Sequence, residues 1–102
     1  MIHPGRYLAN EIKQRKRTQK QFADLLGKKV SEVNELINGK RNVTIQWDLL
    51  LATVFDHPEH KWIRLQNDYD YYIMKLKLDK KKIDAIKRKK NQLAKQDDFS
   101  KF

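Results

Sequence analysis

Glycine and proline are so sparse in this chain that their positions alone restrict the fold. Of 102 residues only three are glycine and two are proline, and the 44 residues after Pro58 contain neither. Both residue types interrupt regular structure, so the stretches between them can fold as continuous helices. Apolar side chains recur every three to four positions in these stretches, which is the periodicity of an amphipathic helix. The pattern therefore predicts an all-α fold.

The first two predicted helices have recognisable ends. The first spans about Gly5 to Arg17. Thr18 and Gln21 then stand at the spacing of a capping box, in which each side chain satisfies a free backbone N–H at the start of a helix. Gly27 follows the apolar residues of this second helix and can adopt the left-handed conformation that ends it.

The third and fourth predicted helices carry more apolar residues. One face of the third helix contains Val30, Val33, Leu36 and Ile37. Asn38-Gly39 is a helix-ending pair, and Thr44 can cap the fourth helix. The segment IQWDLLLATVF that follows Thr44 is almost wholly apolar. We expect it to be the most buried part of the chain.

A long helix, or two collinear ones, is predicted after a second capping box at Asp56–Glu59, with Pro58 in the first turn. Apolar residues spaced three and four apart continue from Trp62 to Leu93, and we expect the first of them to pack in the core. The pattern weakens near Leu78–Lys82, where a break is expected. Gln96–Phe102 is expected to be disordered.

Basic residues are concentrated in the last quarter of the chain. The formal net charge is +10. Residues 1–74 hold 12 Lys and Arg against 9 Asp and Glu, a net +3, whereas residues 75–102 hold 11 against 4, a net +7. We therefore predict a helical domain over residues 1–74 and a basic, partly amphipathic helical tail over residues 75–102. The charge favours a polyanionic partner.

Several functional classes find no support in the sequence. The chain has no cysteine, so disulfides and thiolate metal sites are excluded. No apolar run approaches the roughly 20 residues of a membrane-spanning helix, and a soluble, cytoplasmic protein is expected. No nucleophile-and-base arrangement or phosphate-binding glycine loop is recognisable, so neither an enzyme nor a cofactor is expected. His57, His60 and His3 are expected to lie at the surface rather than to bind a metal.

The order of the second and third helices identifies a motif. Two short helices joined by a tight, glycine-containing turn are the order of a helix-turn-helix, whose second helix enters the DNA major groove. The stretch TQKQFADLLGKKVSEVNELINGKRNVT resembles the lambda-repressor-like (XRE) helix-turn-helix. HPG at 3–5, WIRLQ at 62–66 and YD at 69–70 narrow the resemblance to the HigA/VapI group of plasmid-maintenance antidote proteins. It covers about residues 3–74.

The resemblance implies a five-helix domain with an extended C-terminal helix, and a homodimer that binds a palindromic operator in double-stranded DNA. It also implies an antitoxin that pairs with an mRNA-cleaving toxin and represses its own operon. By motif position, the DNA-binding residues would be Thr18, Gln19, Lys28, Lys29, Val30, Ser31, Glu32, Asn34, Glu35, Lys40, Arg41 and Asn42. Two residues depart from the family pattern: Lys28 replaces an apolar residue, and Lys29 replaces a Ser or Thr cap.

Within this set, the four basic residues can pair with phosphates while polar side chains between them meet base edges. Gln19 can bond adenine through both amide atoms, and a glutamate can accept a hydrogen bond from cytosine N4. Glu32 is either a favourable charge at the helix start or a base contact. Three roles remain open for Glu35. It could contact cytosine, it could be a solvated side chain without a role in binding, or it could repel phosphate and so limit non-specific binding.

The aromatic stripe of the long helix has two interpretations. Trp62, Leu65 and Tyr69 are expected in the core. Further along the chain, a dimer or toxin contact is considered at Tyr72, Ile73, Leu76, Ile83 and Ile86, and for the first three of these core packing is an equal alternative. The basic tail is a solvated helix face, a segment held by a partner chain or a toxin, or a non-specific contact with DNA.

We therefore predict a DNA-binding antitoxin and transcriptional autorepressor of a type II toxin–antitoxin module. Two alternatives remain: a stand-alone repressor of phage or mobile-element type without a toxin, and a protein-interaction module that has lost DNA binding.

Overall fold

The computed structural model describes residues 1–95, in which the regular elements are six α-helices. They are α1 (Pro4–Gln14), α2 (Gln19–Leu26), α3 (Val30–Ile37), α4 (Ile45–Phe55), α5 (Lys61–Lys77) and α6 (Lys80–Ala94). The predicted all-α fold is confirmed. The prediction of disorder for Gln96–Phe102 falls outside the described residues.

The chain divides into two compact units, the first Met1–Tyr72 and the second beginning at Ile73. The core of the first unit draws on all of its helices. Its buried apolar residues are Leu8, Ile12, Phe22, Ala23, Val33, Leu36, Val43, Trp47, Leu51, Phe55 and Trp62. Leu65, which was predicted in the core with Trp62, is half-buried against this cluster, and Tyr69 is also half-buried.

The HPG motif fixes α1 against α3. His3 is the N-cap of α1, and its Nδ1 accepts the N–H of Gly5 at 2.9 Å. Pro4 occupies the first turn, where its missing N–H is not needed. Gly5 lies so close to the end of α3 that a Cβ at this position would overlap the carbonyl oxygen of Leu36. Only glycine allows this approach, so α1 supports the backbone of α3 directly.

The short helices end largely as predicted. Thr18 and Gln21 form the expected capping box, and Gly27 ends α2 in the left-handed region with φ 66°. The first helix ends earlier than predicted, at Gln14 rather than Arg17, because Lys16 adopts a left-handed conformation with φ 55°. That turn brings Thr18 to the extended conformation that an N-cap requires.

The prediction of a capping box at Asp56–Glu59 is wrong. Asp56 takes a left-handed conformation, with φ 57°, and ends α4 instead. The start of α5 is capped by Asp48, a residue of α4 that is only 3% exposed. Its carboxylate accepts the N–H groups of His60 at 2.8 Å and of Trp62 and Ile63 at 2.9 Å each. The contact of Asp48 therefore caps α5, in place of the local capping box that was expected.

The fourth helix is less buried than its composition suggested. It buries one face, including Trp47 and Leu51, while Ile45 is 72% exposed and Leu49 is 45% exposed. A helix has only one side toward the core, so the surplus apolar residues must face outward. The helix nevertheless has more buried residues than any other described helix, so the expectation that this segment is the most buried is confirmed.

The long C-terminal helix is broken where the sequence pattern weakens. α5 ends at Lys77, and α6 begins at Lys80 with Asp79 as its N-cap. The Asp79 carboxylate accepts the N–H of Lys81 at 2.9 Å. The predicted break is confirmed, and the single extended helix becomes two. Within residues 1–95, every helix is too short or too polar to span a membrane.

Candidate nucleic-acid interface

The candidate interface is the outer face of α3 together with the residues on either side of it. Val33 and Leu36 point into the core and hold this helix in place. Ser31 and Asn34 lie on the opposite, exposed side, and Val30 joins them with 47% exposure. Val30 was predicted both on one face with Val33 and Leu36 and among the DNA-binding residues; it stands in the first turn of α3 and is exposed.

Amide side chains link α2 to α3. Gln19, in the first turn of α2, accepts a hydrogen bond from Asn34 Nδ2 at its Oε1 (3.2 Å). Asn38 Nδ2 donates in turn to Asn34 Oδ1 at 3.1 Å and to the Asn34 backbone oxygen at 2.9 Å. This chain of amides restrains Gln19 and Asn34 beside each other. Within residues 1–95, the Nε2 donors of Gln19 have no hydrogen-bond partner and are available for an external acceptor.

The start of α3 is capped from within the helix. Lys29 is the N-cap residue, and its side chain makes no capping hydrogen bond. Glu32 supplies the missing partner by accepting the Lys29 N–H at 3.1 Å. This hydrogen bond lowers the pKa of Glu32, burial opposes that effect, and the charges of Lys28 and Arg41 reinforce it. The carboxylate is therefore held in its charged form at the positive end of the helix.

Arg41 folds back along α3 and contacts two carboxylates. Its NH2 group donates to Glu35 Oε2 at 3.4 Å, and its NH1 group lies 4.0 Å from Glu32 Oε2. We call these three residues the Glu32–Arg41–Glu35 cluster. Arg41 was predicted as a phosphate contact, but in the free protein its charge is directed toward its own chain.

Basic residues stand on both sides of α3. Lys29 precedes the helix and Lys40 follows it, and both are exposed. Lys28 is half-buried, donates to Gln46 Oε1 at 3.0 Å, and places its ammonium 5.3 Å from the Trp47 ring centre. Its aliphatic stem can pack where the family places an apolar residue, while the charge stays at the surface.

The remaining predicted residues lie at the margins of this face. Thr18 is engaged as the N-cap of α2. Asn42 Oδ1 lies 3.4 Å from His3 Nε2. Two residues near the face were missed from the sequence, Asn38 and Gln46. Gln46 contacts Lys28 across 18 positions, which no local pattern indicates. Asn38 lies four residues after Asn34, so this spacing on a helix could have identified the pair.

The histidines have structural contacts. His3 caps α1, and its ring stands edge-on to Tyr69 with centroids 5.1 Å apart. His57 Nδ1 accepts a hydrogen bond from Trp62 Nε1 at 3.3 Å, and burial lowers the pKa of this histidine. Among residues 1–95, no three or more His, Asp or Glu side chains are grouped so that they could hold a metal ion.

The residues predicted as a partner interface have mixed exposure. Tyr72 is the last residue of the first unit and is exposed. In the second unit, Ile73 is half-buried, whereas Leu76, Ile83 and Ile86 are exposed. The part of this unit described by the structure, residues 73–95, holds 10 Lys and Arg against 2 Asp, a net charge of +8.

Comparisons with known proteins agree with this geometry. The family model described as helix-turn-helix (HTH_3) matches residues 8–46, which include α2 and α3. No curated protein matches the chain significantly. Among solved structures, antitoxin GraA is 26% identical, with 74% of this chain and 83% of that chain covered and a TM-score of 0.71.

Two further solved structures carry the HigA name. The Pseudomonas aeruginosa antitoxin HigA, solved with the higBA promoter, is 24% identical with a TM-score of 0.69, covering 72% of this chain and 80% of its own. That likeness concerns the fold alone. An addiction module antidote protein of a HigA family from Coxiella burnetii is 36% identical with a TM-score of 0.73, covering 82% of this chain and 91% of its own. On this evidence, the chain belongs to the HigA family of addiction module antidote proteins.

Proposed function

We propose that the protein binds an operator in double-stranded DNA with α3 in the major groove, and that it represses its own operon. The observation that carries the proposal is the outer face of α3. This face presents Ser31, Asn34 and Glu35 from a helix whose other side is fixed in the core, between exposed Lys29 and Lys40. Rigid placement of polar side chains between phosphate contacts is what reading a base sequence requires.

The predicted DNA-binding residues have distinct roles in this proposal. Gln19, Ser31, Asn34 and Glu35 meet base edges or orient side chains that do. Lys28, Lys29 and Lys40 pair with phosphates, and Thr18 and Asn42 contact the backbone of the DNA at the edges. Val30 can touch a thymine methyl group. Glu32 holds the start of the helix.

We propose a homodimer, since an operator with two-fold symmetry needs two recognition helices about 34–36 Å apart. Tyr72, Ile73, Leu76, Ile83 and Ile86 are the residues we assign to the dimer or toxin contact. The protein acts in the cytoplasm as a binding protein without catalysis. As an antitoxin, it pairs with an mRNA-cleaving toxin encoded beside its gene.

DNA binding is tested by fluorescence anisotropy on the region upstream of the gene. We expect the wild type to prefer this DNA to a scrambled duplex, and the preference to be lost in the double variant Gln19→Ala/Ser31→Ala. Asn67→Ala, at an exposed amide on α5, is the matched control. Equal binding of both duplexes by the wild type would leave only the protein-interaction alternative.

The antitoxin role is tested by expressing each reading frame that flanks the gene. We expect one of them to arrest growth and co-expression of this protein to restore it. Growth arrest by neither frame would leave a stand-alone repressor. Arrest that this protein does not relieve would exclude it as the antitoxin.

A further inference from the structure

The Glu32–Arg41–Glu35 cluster is an incompletely satisfied ion pair at the edge of the candidate interface. Only one contact, from Arg41 NH2 to Glu35 Oε2 at 3.4 Å, has hydrogen-bond geometry, and the Glu32 contact is longer, at 4.0 Å. The Nε atom of Arg41 is buried and has no hydrogen-bond partner among the described residues. The guanidinium is therefore held by charge more than by optimal hydrogen bonds.

The two glutamates differ in whether they can release Arg41 without loss of another contact. Glu32 caps α3 through the Lys29 N–H, and its side chain is 24% exposed. Glu35 has no capping role, lies on the outer face one turn further on, and its side chain is 43% exposed. Glu35 is therefore the member of the cluster that can give up Arg41 without loosening the start of the helix.

Carboxylates and phosphates compete for the same guanidinium, because both present paired oxygens that match its donors. While Arg41 pairs with Glu35, it adds nothing to the attraction between the protein and a DNA backbone. If Arg41 leaves for a phosphate, Glu35 is left with an unpaired charge facing the groove. That charge is compensated only where a base offers a hydrogen-bond donor, and cytosine N4 is the donor that suits a glutamate.

We propose that Glu35 is a specificity-determining residue, which retains Arg41 on arbitrary DNA and releases it to a phosphate only where a cytosine amino group takes its place. This inference rests on the proposed DNA binding. An incorrect sequence either leaves Arg41 on Glu35 or leaves Glu35 unpaired, and binding is weaker in both cases. This exchange of Arg41 increases the difference in affinity between correct and incorrect DNA sites, and it does not increase the affinity for DNA in general.

The test measures binding against salt on two duplexes, the preferred upstream DNA and a scrambled sequence of equal composition. In Glu35→Gln, Arg41 becomes free to pair with phosphate on any sequence. We expect the salt dependence on scrambled DNA to steepen by about 0.9 in log–log slope, which is about 3.5-fold more loss of affinity between 50 and 200 mM salt. The preference for the upstream duplex should fall.

Three variants separate this exchange from a simple change of charge. Arg41→Gln alone should change the slope on scrambled DNA little, because Arg41 is already occupied. The double variant Glu35→Gln/Arg41→Gln should lose the steepening. Asp68→Asn, at an exposed position of α5, removes the same charge away from Arg41 and should not steepen the slope. Circular dichroism confirms that each variant is folded.

A base-pair scan adds a second readout. At one C·G pair of the preferred site, replacement by T·A should weaken the wild type about tenfold or more, while Glu35→Gln, whose neutral amide oxygen is a weaker acceptor, should lose less affinity. Unchanged slopes and preference in Glu35→Gln, or steepening that survives Arg41→Gln, would overturn the inference while leaving DNA binding intact. A wild type that prefers no sequence would instead overturn the proposed function, and this inference with it.

Discussion

Individual carboxylates explain why a recognition helix of a basic protein can carry negative charge. Glu32 accepts the backbone N–H of Lys29 at the start of α3, because the Lys29 side chain has no acceptor of its own. Glu35 forms an ion pair with Arg41. Both roles concern the protein's own chain. The positive charge therefore does not need to cover the recognition face, and Lys29 and Lys40 stand at its two ends.

Asp48 is the carboxylate on which the first unit depends most. It is buried and accepts three backbone N–H groups at the start of α5. Asp48→Ala would leave those donors without a partner, and we expect it to lower the free energy of unfolding by about 3 kcal/mol in urea denaturation. Asp68→Ala, at an exposed position of α5, is the control. A loss below about 1 kcal/mol would show that the cap is dispensable.

His57 makes the stability dependent on pH. Burial, followed by the charge of Lys61, lowers the pKa of His57 below its ordinary value of 6.5. The folded protein therefore binds fewer protons here than the unfolded chain, so this contribution is present above pH 6.5 and is lost as the pH falls through the folded pKa. Protonation of Nδ1 would also remove the acceptor for Trp62 Nε1.

We expect His57→Gln to reduce the loss of stability between about pH 7.5 and 5.5, measured as the urea midpoint at each pH. The glutamine side chain cannot gain a proton in this range but keeps an acceptor oxygen. Glu32 also contributes stability that is lost as the pH falls. Because its pKa is lowered, that loss occurs below pH 4.5, outside this window. An equal fall in both proteins would mean that His57 does not control this dependence.

At the scale of single residues, local contacts could be predicted and distant ones could not. The Thr18–Gln21 capping box and the left-handed Gly27 follow from spacing and from the properties of the residues themselves. The contact of Asp48 with the start of α5 spans 12 to 15 positions, and no short pattern indicates it. The capping box predicted at Asp56–Glu59 does not form because Asp56 is left-handed and ends α4, whereas an N-cap needs an extended backbone; the α5 helix begins later, at Lys61.

At the scale of elements, the backbone contact between α1 and α3 matters more than helix propensity. Gly5 stands in the first turn of a helix, where alanine would ordinarily be preferred, because a Cβ at this position would overlap the Leu36 carbonyl oxygen. We expect Gly5→Ala to cost about 2 kcal/mol or more, measured by urea unfolding. Asn10→Ala, on the exposed face of α1, should be neutral or slightly stabilising. Equal stability of the two variants would contradict the close approach.

A second consequence of this contact is functional. Because Gly5 packs under the end of α3, a displaced α1 would move the recognition helix as well. The family motif WIRLQ has a similar structural explanation. Trp62 belongs to the core, and buried Gln66 accepts the Val43 N–H at 2.8 Å and donates to Asp70 at 2.9 Å. Trp62 and Gln66 of this motif thus hold the scaffold of the first unit.

The helices themselves were largely predictable, while their exposure was not. Periodicity located each helix and the break before α6. It could not show that Ile45 and Leu49 face outward, because an almost wholly apolar segment has no polar side to mark its surface. Burial in such a segment is decided by the neighbouring helices, which lie elsewhere in the sequence.

At the scale of the whole molecule, the two units have different compositions. Residues 1–72 carry a net charge of +3 and contain the core, whereas residues 73–102 carry +7. We expect a chain that ends after Met74 to stay folded but to dimerise less, because Leu76, Ile83 and Ile86 are removed. Analytical ultracentrifugation measures this, with a chain ending after Lys95 as the control. Unchanged dimerisation would mean that the tail is a solvated surface and does not contribute to the dimer.

We propose that two copies of α3 read a symmetric site in DNA, a claim that footprinting of the region upstream of the gene can check. We predict two protected segments whose centres lie about 10–10.5 base pairs, or one helical turn, apart. Protection should disappear in Gln19→Ala/Ser31→Ala and persist in Asn67→Ala. Absence of protection by the wild type, or equal protection by the double variant, would contradict the claim.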